Sequence, residues 1–161
     1  MKKIFVIVFG LVLFLCGFSP VVRAQNQYVT MNSIDLSAYS AEIVTIYWTQ
    51  TEGGMLESTD ALYFQFSGDG GENWSSLILA FNDDNPVASF SYQLPAEYLT
   101  DDFKCRLYLS QFTGIGEYCY IDNISIETNE VVIFSDDCSD FDAWVNGSAW
   151  TIYSGKFRGH N

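Results

Sequence analysis

Apolar residues recur at every second position through much of the chain, and this period of two limits the fold more than any other feature. Segments 61–67, 88–94 and 103–109 each alternate apolar side chains with more polar ones. Successive side chains of a β-strand point to opposite faces, so these segments are predicted to be strands with one buried face. Segment 41–48 is β-branched and aromatic throughout, which predicts a strand covered on both faces.

Turn-forming residues separate these segments. Gly53-Gly54, the stretch 82–86 and Thr113-Gly114-Ile115-Gly116 are rich in glycine, asparagine or aspartate, which are the residues that end strands. Helical periodicity is absent from the sequence after residue 24. Several short strands with such turns between them predict an all-β fold, and we expect an antiparallel β-sandwich.

Residues 1–24 have the pattern of a secretion signal. Met1-Lys2-Lys3 precedes an apolar run from Ile4 to Leu15, and Val22-Arg23-Ala24 offers a cleavage site. A membrane span needs about 20 apolar residues, and Pro20 and neighbouring polar residues interrupt this run too early. We therefore predict a secreted or cell-surface protein with no transmembrane anchor after signal cleavage.

The chain is strongly acidic. Its formal net charge is −13, and removal of the three basic residues of the signal makes it −16. Such a balance opposes binding to nucleic acid, whose phosphates require basic groups, so no nucleic-acid partner is expected. It favours solubility and attracts cations.

The stretch SGDGGENW, residues 67–74, resembles the Asp-box, a hairpin motif of sialidase-type propellers and other secreted β folds. The resemblance is carried by Ser67, Asp69, Gly71 and Trp74. We expect the Asp69 carboxylate to accept hydrogen bonds from the turn, the glycines to supply positive φ, and Trp74 to pack over it. A propeller would repeat the motif, so this single copy is interpreted as a structural turn and not as a metal or catalytic loop.

The order of the motifs suggests a family. The hairpin, then the strand Phe103-Lys-Cys-Arg-Leu107, then Tyr120-Ile-Asp-Asn-Ile-Ser-Ile126 resembles jelly-roll modules related to MAM domains and to carbohydrate-binding modules of secreted proteins, over residues 30–127. The resemblance implies a jelly roll, concanavalin A-like or galactose-binding-like, that binds polysaccharide or another surface protein. The alternative is a structural spacer or self-assembling repeat unit with no small ligand.

Candidate sugar-binding residues are the aromatic side chains beside polar neighbours, because an aromatic ring can stack on the apolar face of a sugar. These residues are Trp48, Tyr63, Tyr92, Tyr108 and Tyr120. Each of them has a core position as its alternative, since aromatic residues also fill sandwich cores.

A structural calcium ion is the expected cofactor. Asp122 lies with Asn123 inside an otherwise apolar strand, and in the similar jelly rolls an aspartate at this place helps to hold calcium. The resemblance implies further ligands from Asp136 and Asp137. The alternative is that Asp122 and Asn123 satisfy backbone groups of a turn or strand edge.

Catalytic residues are hard to place in this sequence. His160 is the only histidine and is the penultimate residue, so a nucleophile–histidine arrangement has no suitable base. A carboxylate pair is the enzymatic alternative, but the Glu-x-Asp-x-x-Glu pattern of glycosidases with this fold class does not occur. We therefore predict a non-catalytic module with no catalytic residues.

The mature chain divides at residue 130. Residues 25–130 are predicted to form the sandwich module, and residues 131–161 either complete the same sandwich or begin a second, truncated repeat. In the first case the tail strands pack within one chain or exchange between chains, giving self-association. Three cysteines, Cys105, Cys119 and Cys138, follow the signal, so at least one is unpaired, and Cys105 is expected to be a small buried apolar residue.

Overall fold

A computed structural model of the chain describes residues 27–54, 56–83 and 88–160, so the predicted signal lies outside the described residues. Short 3₁₀ helices lie at Ser37–Tyr39 and Ala96–Tyr98, and the rest of the regular structure is β. The strands are β1 (Tyr28–Met31), β2 (Thr45–Gly54), β3 (Ala61–Ser67), β4 (Ile78–Asn82), β5 (Ser89–Gln93), β6 (Lys104–Ser110), β7 (Glu117–Glu127), β8 (Val132–Asp136), β9 (Trp144–Asn146), β10 (Trp150–Tyr153) and β11 (Lys156–His160).

Two antiparallel sheets pack face to face, which confirms the predicted all-β sandwich. The first sheet has the strand order β4-β3-β6-β1-β9, and the second has the order β10-β11-β7-β2-β5. Strand β7 is long enough for two partners on one edge, because residues 118–121 pair with β11 and residues 124–127 pair with β8.

The core lies between the sheets and follows the period of two. In β6 the inward residues Cys105, Leu107 and Leu109 are buried, while Arg106 and Tyr108 between them are half-buried on the outer side. Full burial of each large apolar side chain stabilises the fold by about 1.5–3 kcal/mol. The largest fully buried side chains are Trp48, Trp150, Phe64, Phe81, Phe103 and Phe157.

Strand β2 corrects one expectation. It was predicted to be covered on both faces, but it alternates: Tyr47 is 38% exposed and Trp48 only 2%. The outer face of the second sheet is open to solvent, so the β-branched and aromatic composition of segment 41–48 reflects strand propensity and not double coverage.

Residues 132–160 take part in both sheets. Strands β8 and β11 pair with β7, and β9 pairs with β1, placing Met31 opposite Trp144. Three aromatic side chains of this tail, Trp144, Trp150 and Phe157, are buried in the common core.

The three cysteines of the described residues are unpaired and buried. Burial raises the pKa of Cys119 and Cys138 to about 12 and that of Cys105 still further. Within the described residues, no helix has the length and apolar character needed to cross a membrane.

Candidate functional site

The five predicted sugar-binding aromatic residues lie in three different places. Trp48 and Tyr92 point into the core, Tyr63 and Tyr108 lie on the outer face of the first sheet, and Tyr120 lies on the outer face of the second. The structure therefore does not bring them together into one platform.

Trp48 lies in the core and Tyr92 packs against it, which is the alternative given above for these residues. Trp48 is 2% exposed, and its indole Nε1 donates a 2.8 Å hydrogen bond to Oε1 of Gln50. The Tyr92 ring packs among core aromatic residues, with its centroid 6.1 Å from that of Phe64 and 5.8 Å from that of Phe66. The sequence indicates this burial through the alternation along each strand. Trp48 lies on the same side of its strand as Ile46, and Tyr92 lies on the same side as Leu94.

The first-sheet face is the aromatic surface formed by Tyr28, Tyr63, Trp74, Arg106 and Tyr108. Tyr63, Tyr108 and Tyr28 are direct cross-strand neighbours on β3, β6 and β1. Their rings stack on one another, with centroids 6.3 Å apart for Tyr63 and Tyr108 and 4.7 Å apart for Tyr28 and Tyr108. Such cross-strand pairs stabilise a sheet.

Arg106 contacts several side chains of this face. Its guanidinium carbon lies 4.0 Å from the ring centroids of both Tyr28 and Trp74, a cation–π arrangement on two sides. Its Nη2 and Nε donate to Oε1 of Gln65 at 2.8 and 3.0 Å. The rings of this face therefore have partners that stabilise the first sheet.

The loop 67–74 closes on itself through hydrogen bonds. The Asp69 carboxylate accepts from the backbone N–H of Asn73 (2.9 Å), the Ser67 hydroxyl (2.6 Å) and the Asn73 amide (2.7 Å). These bonds lower the pKa of Asp69 to about 2. Gly70 and Gly71 have φ of 69° and 96°, and the Arg106 contact anchors Trp74. Both Asp69 oxygens therefore accept hydrogen bonds within the turn.

The second-sheet face is the surface formed by Thr51, Tyr118, Tyr120, Tyr153, Lys156 and Arg158. Cross-strand pairing sets Tyr120 between Thr51 of β2 and Arg158 of β11, and Tyr153 of β10 opposite Lys156. The β10–β11 turn fixes this placement, because Ser154 and Gly155 both have positive φ, 54° and 72°, as two-residue hairpin turns of type I′ require.

A cleft opens on this face. It has a volume of about 230 Å³ and is lined by Thr51, Tyr120, Tyr153, Ser154 and Lys156. The Tyr120 and Tyr153 ring centroids are 6.0 Å apart with planes at 30°, and Tyr153 is 55% exposed. Two hydroxyl-bearing residues and a lysine thus line the cleft beside an accessible tyrosine.

Charged groups border the cleft. The Lys156 ammonium forms a 2.8 Å ion pair with Oδ2 of Asp122, and the Arg158 guanidinium carbon lies 4.6 Å from the Tyr118 ring centroid and 5.3 Å from that of Tyr153. Strand β11 holds two of the four lysine and arginine residues that follow residue 24. Strand β11 thus places two of these few basic side chains beside the cleft, and one of them is paired with Asp122.

The predicted calcium ligands Asp122, Asp136 and Asp137 are not gathered into one cluster of carboxylates within 4.8 Å among the described residues. Asp122 has Lys156 as its positive partner. Asp136 accepts from the backbone N–H of Cys138 (2.6 Å) and from Nε1 of Trp144 (3.1 Å). Asp137 accepts from the backbone N–H of Ser139 at 3.0 Å. Each of the three predicted ligands therefore has a partner of its own in the structure.

The polar pair Asp122-Asn123 marks a β-bulge. The register between β2 and β7 shifts here, Asn123 has φ of 53°, and the Thr49 hydroxyl donates to the backbone oxygen of Asp122 at 3.0 Å. The bulge falls where the edge of β7 passes from β11 to β8. Asparagine tolerates positive φ better than most residues, which explains why a polar residue interrupts this strand.

The sequence interpretation missed one cluster of carboxylates. Glu57, Asp60 and Glu117 each place a carboxylate oxygen within 4.8 Å of the other two. Asp60 is 1% exposed and Glu117 4%. Glu117 could have revealed the cluster from the sequence. It lies on the same side of its strand as Cys119 and Ile121, so the alternation predicts a buried charged residue there.

Comparison with protein-family models gives no match, and comparison with curated proteins gives none either.

Proposed function

We propose that this chain is a secreted or cell-surface carbohydrate-binding module without catalytic activity, and that it binds a saccharide at the cleft of the second-sheet face. The observation that carries the proposal is that an accessible tyrosine, Tyr153, lines one small cleft together with Thr51, Ser154 and Lys156.

The chemistry suits a sugar. A pyranose ring has an apolar face of C–H groups, which stacks on an aromatic ring, and a rim of hydroxyls, which need hydrogen-bond partners. Tyr153 offers the ring, Thr51 and Ser154 offer groups that donate and accept, and the Lys156–Asp122 pair offers a charged donor and a charged acceptor. Bonds to charged groups are the stronger ones.

The size and shape of the cleft favour one residue of a longer saccharide. Pockets for drug-sized ligands measure about 300–1,000 Å³, and this cleft of about 230 Å³ is smaller and open. Tyr118 continues the aromatic surface beside Tyr120, with ring centroids 5.3 Å apart. We therefore favour a polysaccharide lying across the strands over a small free sugar.

The positions of the carboxylates support binding without catalysis. Glycoside hydrolysis needs two carboxyl groups that flank the scissile bond. On the second-sheet face Asp122 is paired with Lys156, and the close pair Asp60 and Glu117 is buried beyond the reach of a saccharide.

The test is retention of the purified chain on a glycan array and on insoluble polysaccharides, with Tyr153→Ala beside Tyr63→Ala as a matched control on the other face. We expect Tyr153→Ala to weaken binding at least about tenfold, which corresponds to about 1.4 kcal/mol. Tyr63→Ala should leave affinity unchanged.

Two results would contradict the proposal. Equal loss of binding in both variants would remove the second-sheet face as the site. Absence of any retained saccharide, together with oligomers that grow with protein concentration, would favour the alternative of a structural, self-assembling unit.

A further inference from the structure

The carboxylates of Glu57, Asp60 and Glu117 meet at one end of the sandwich. Glu57 and Asp60 lie in the connection between β2 and β3, and Glu117 is the first residue of β7. One oxygen from each lies within 4.8 Å of the others. Within the described residues, no lysine or arginine forms an ion pair with any of the three.

Backbone groups orient the two buried carboxylates. Oδ2 of Asp60 accepts from the N–H of Glu57 at 2.8 Å, and Oε2 of Glu117 accepts from the N–H of Gly114 at 2.7 Å. Each bond fixes the plane of a carboxylate through one of its oxygens. The short connections on both sides of the cluster thus hold the side chains in place.

A second observation points to a ligand. Oδ1 of Asp60 is buried and accepts no hydrogen bond from the described residues, although Asp60 is 1% exposed. A buried carboxylate oxygen without a partner is costly, because it has lost its water and gained nothing in return. This oxygen belongs to the same carboxylate that faces Glu57 and Glu117.

We propose that Glu57, Asp60 and Glu117 form a binding site for a divalent cation, with Ca²⁺ as the ion. Hard oxygen donors are the ligands of calcium, which takes six to eight of them and accepts irregular geometry. Three carboxylates offer four oxygens besides the two that accept backbone hydrogen bonds, and their three negative charges are largely balanced by two positive ones. Glu57 is exposed, so an ion has a path from solvent.

The site differs from the one that the sequence suggests at Asp122, Asp136 and Asp137. It is also independent of the proposed saccharide binding, because it lies in other residues and is tested with calcium alone. An ion here would tie the β2–β3 connection to the start of β7 and so stabilise the folded chain.

The experiment is calcium titration of the EDTA-treated, purified chain at neutral pH, followed by calorimetry and by thermal unfolding. We expect one ion per chain and a rise in melting temperature of roughly 5–10 °C at saturation. Asp60→Asn and Glu117→Gln should abolish both responses. Glu57→Gln changes an exposed side chain of the same cluster and should also weaken both responses. It can be measured if a variant at a buried position does not fold.

Matched controls are Asp101→Asn, at an exposed turn, and Asp122→Asn, at the site that the sequence suggests; both should respond to calcium as the unmodified chain does. The proposal is overturned if calcium changes neither heat nor melting temperature. It is also overturned if Asp122→Asn abolishes the response while Asp60→Asn and Glu57→Gln retain it.

Discussion

The two outer faces of the sandwich carry similar residues and differ in what those residues are free to do. On the first-sheet face, Arg106 is held between two rings at 4.0 Å and bonded to Gln65. On the second-sheet face, Arg158 lies farther from its rings, at 4.6 and 5.3 Å, and a cleft opens beside Tyr153. A cluster of aromatic residues therefore indicates a binding site only where a ring face and polar groups remain accessible.

The faces also differ in where along the chain they come from. The first-sheet face is complete by residue 108, whereas the second-sheet face needs β10 and β11, residues 150–160. The tail thus supplies Tyr153, Ser154 and Lys156, three of the five residues that line the cleft.

Truncation after Glu130 should have the largest effect. It removes the buried side chains of Trp144, Trp150 and Phe157 and uncovers edges of β1 and β7, and exposed apolar surface and strand edges drive association. We expect aggregation on size-exclusion chromatography and loss of cooperative thermal unfolding. A soluble monomer with the melting temperature of the full chain would show that the tail does not support the core.

Arg106→Ala should lower the free energy of unfolding by about 2 kcal/mol, because two cation–π contacts and the bonds to Gln65 are lost. Saccharide affinity should not change. Arg158→Ala is the matched variant on the other face, where we expect a smaller loss of stability and weaker saccharide binding. Chemical denaturation and affinity measurements on both variants check these expectations. If Arg106→Ala weakened saccharide binding and Arg158→Ala did not, the first-sheet face would be the binding face.

Thr51→Val should weaken saccharide binding by about three- to tenfold, since a hydroxyl that bonds a ligand contributes about 0.5–1.5 kcal/mol. Valine keeps the shape and strand propensity of threonine, so the melting temperature should stay the same. Thr151→Val, at an exposed position of β10 outside the lining of the cleft, is the control. Equal affinity of the two variants would mean that Thr51 does not contact the ligand.

Asp69→Asn should give the smallest effect, a loss of stability that is present at neutral pH and disappears in acid. The folded chain lowers the pKa of Asp69 to about 2, below its ordinary value of about 3.9. The carboxylate therefore stabilises the fold above about pH 4, and this contribution is lost as the pH falls through about 2. The difference in melting temperature between the unmodified chain and Asp69→Asn should shrink over that range. A constant difference would show that the charge of Asp69 does not hold the turn.

The sequence predicts those features of the molecule that depend only on residues close together along the chain. Alternation in β6 assigns Cys105 to the core and Tyr108 to the outer face, because strand geometry alone decides this. The same rule, applied to Trp48 beside Ile46, would have placed that ring in the core.

What the sequence does not predict depends on pairings between distant segments. The cleft joins Thr51 to Tyr153, and the carboxylate cluster joins Asp60 to Glu117. Lys156 neutralises Asp122 only because β11 pairs with β7. No local pattern contains these registers, so the metal ligands and the sugar platform expected from motifs differ from the arrangement in the structure.

We expect the second-sheet face, and not the first, to bind saccharide. The most direct measurement is an amide chemical-shift map of the ¹⁵N-labelled chain, titrated with an oligosaccharide that the chain retains on the array. We predict that the perturbed amides cluster at Thr51, Tyr120 and Ser154, with those of Tyr63 and Tyr108 unchanged. Perturbations centred on Tyr63 and Tyr108 would contradict the claim.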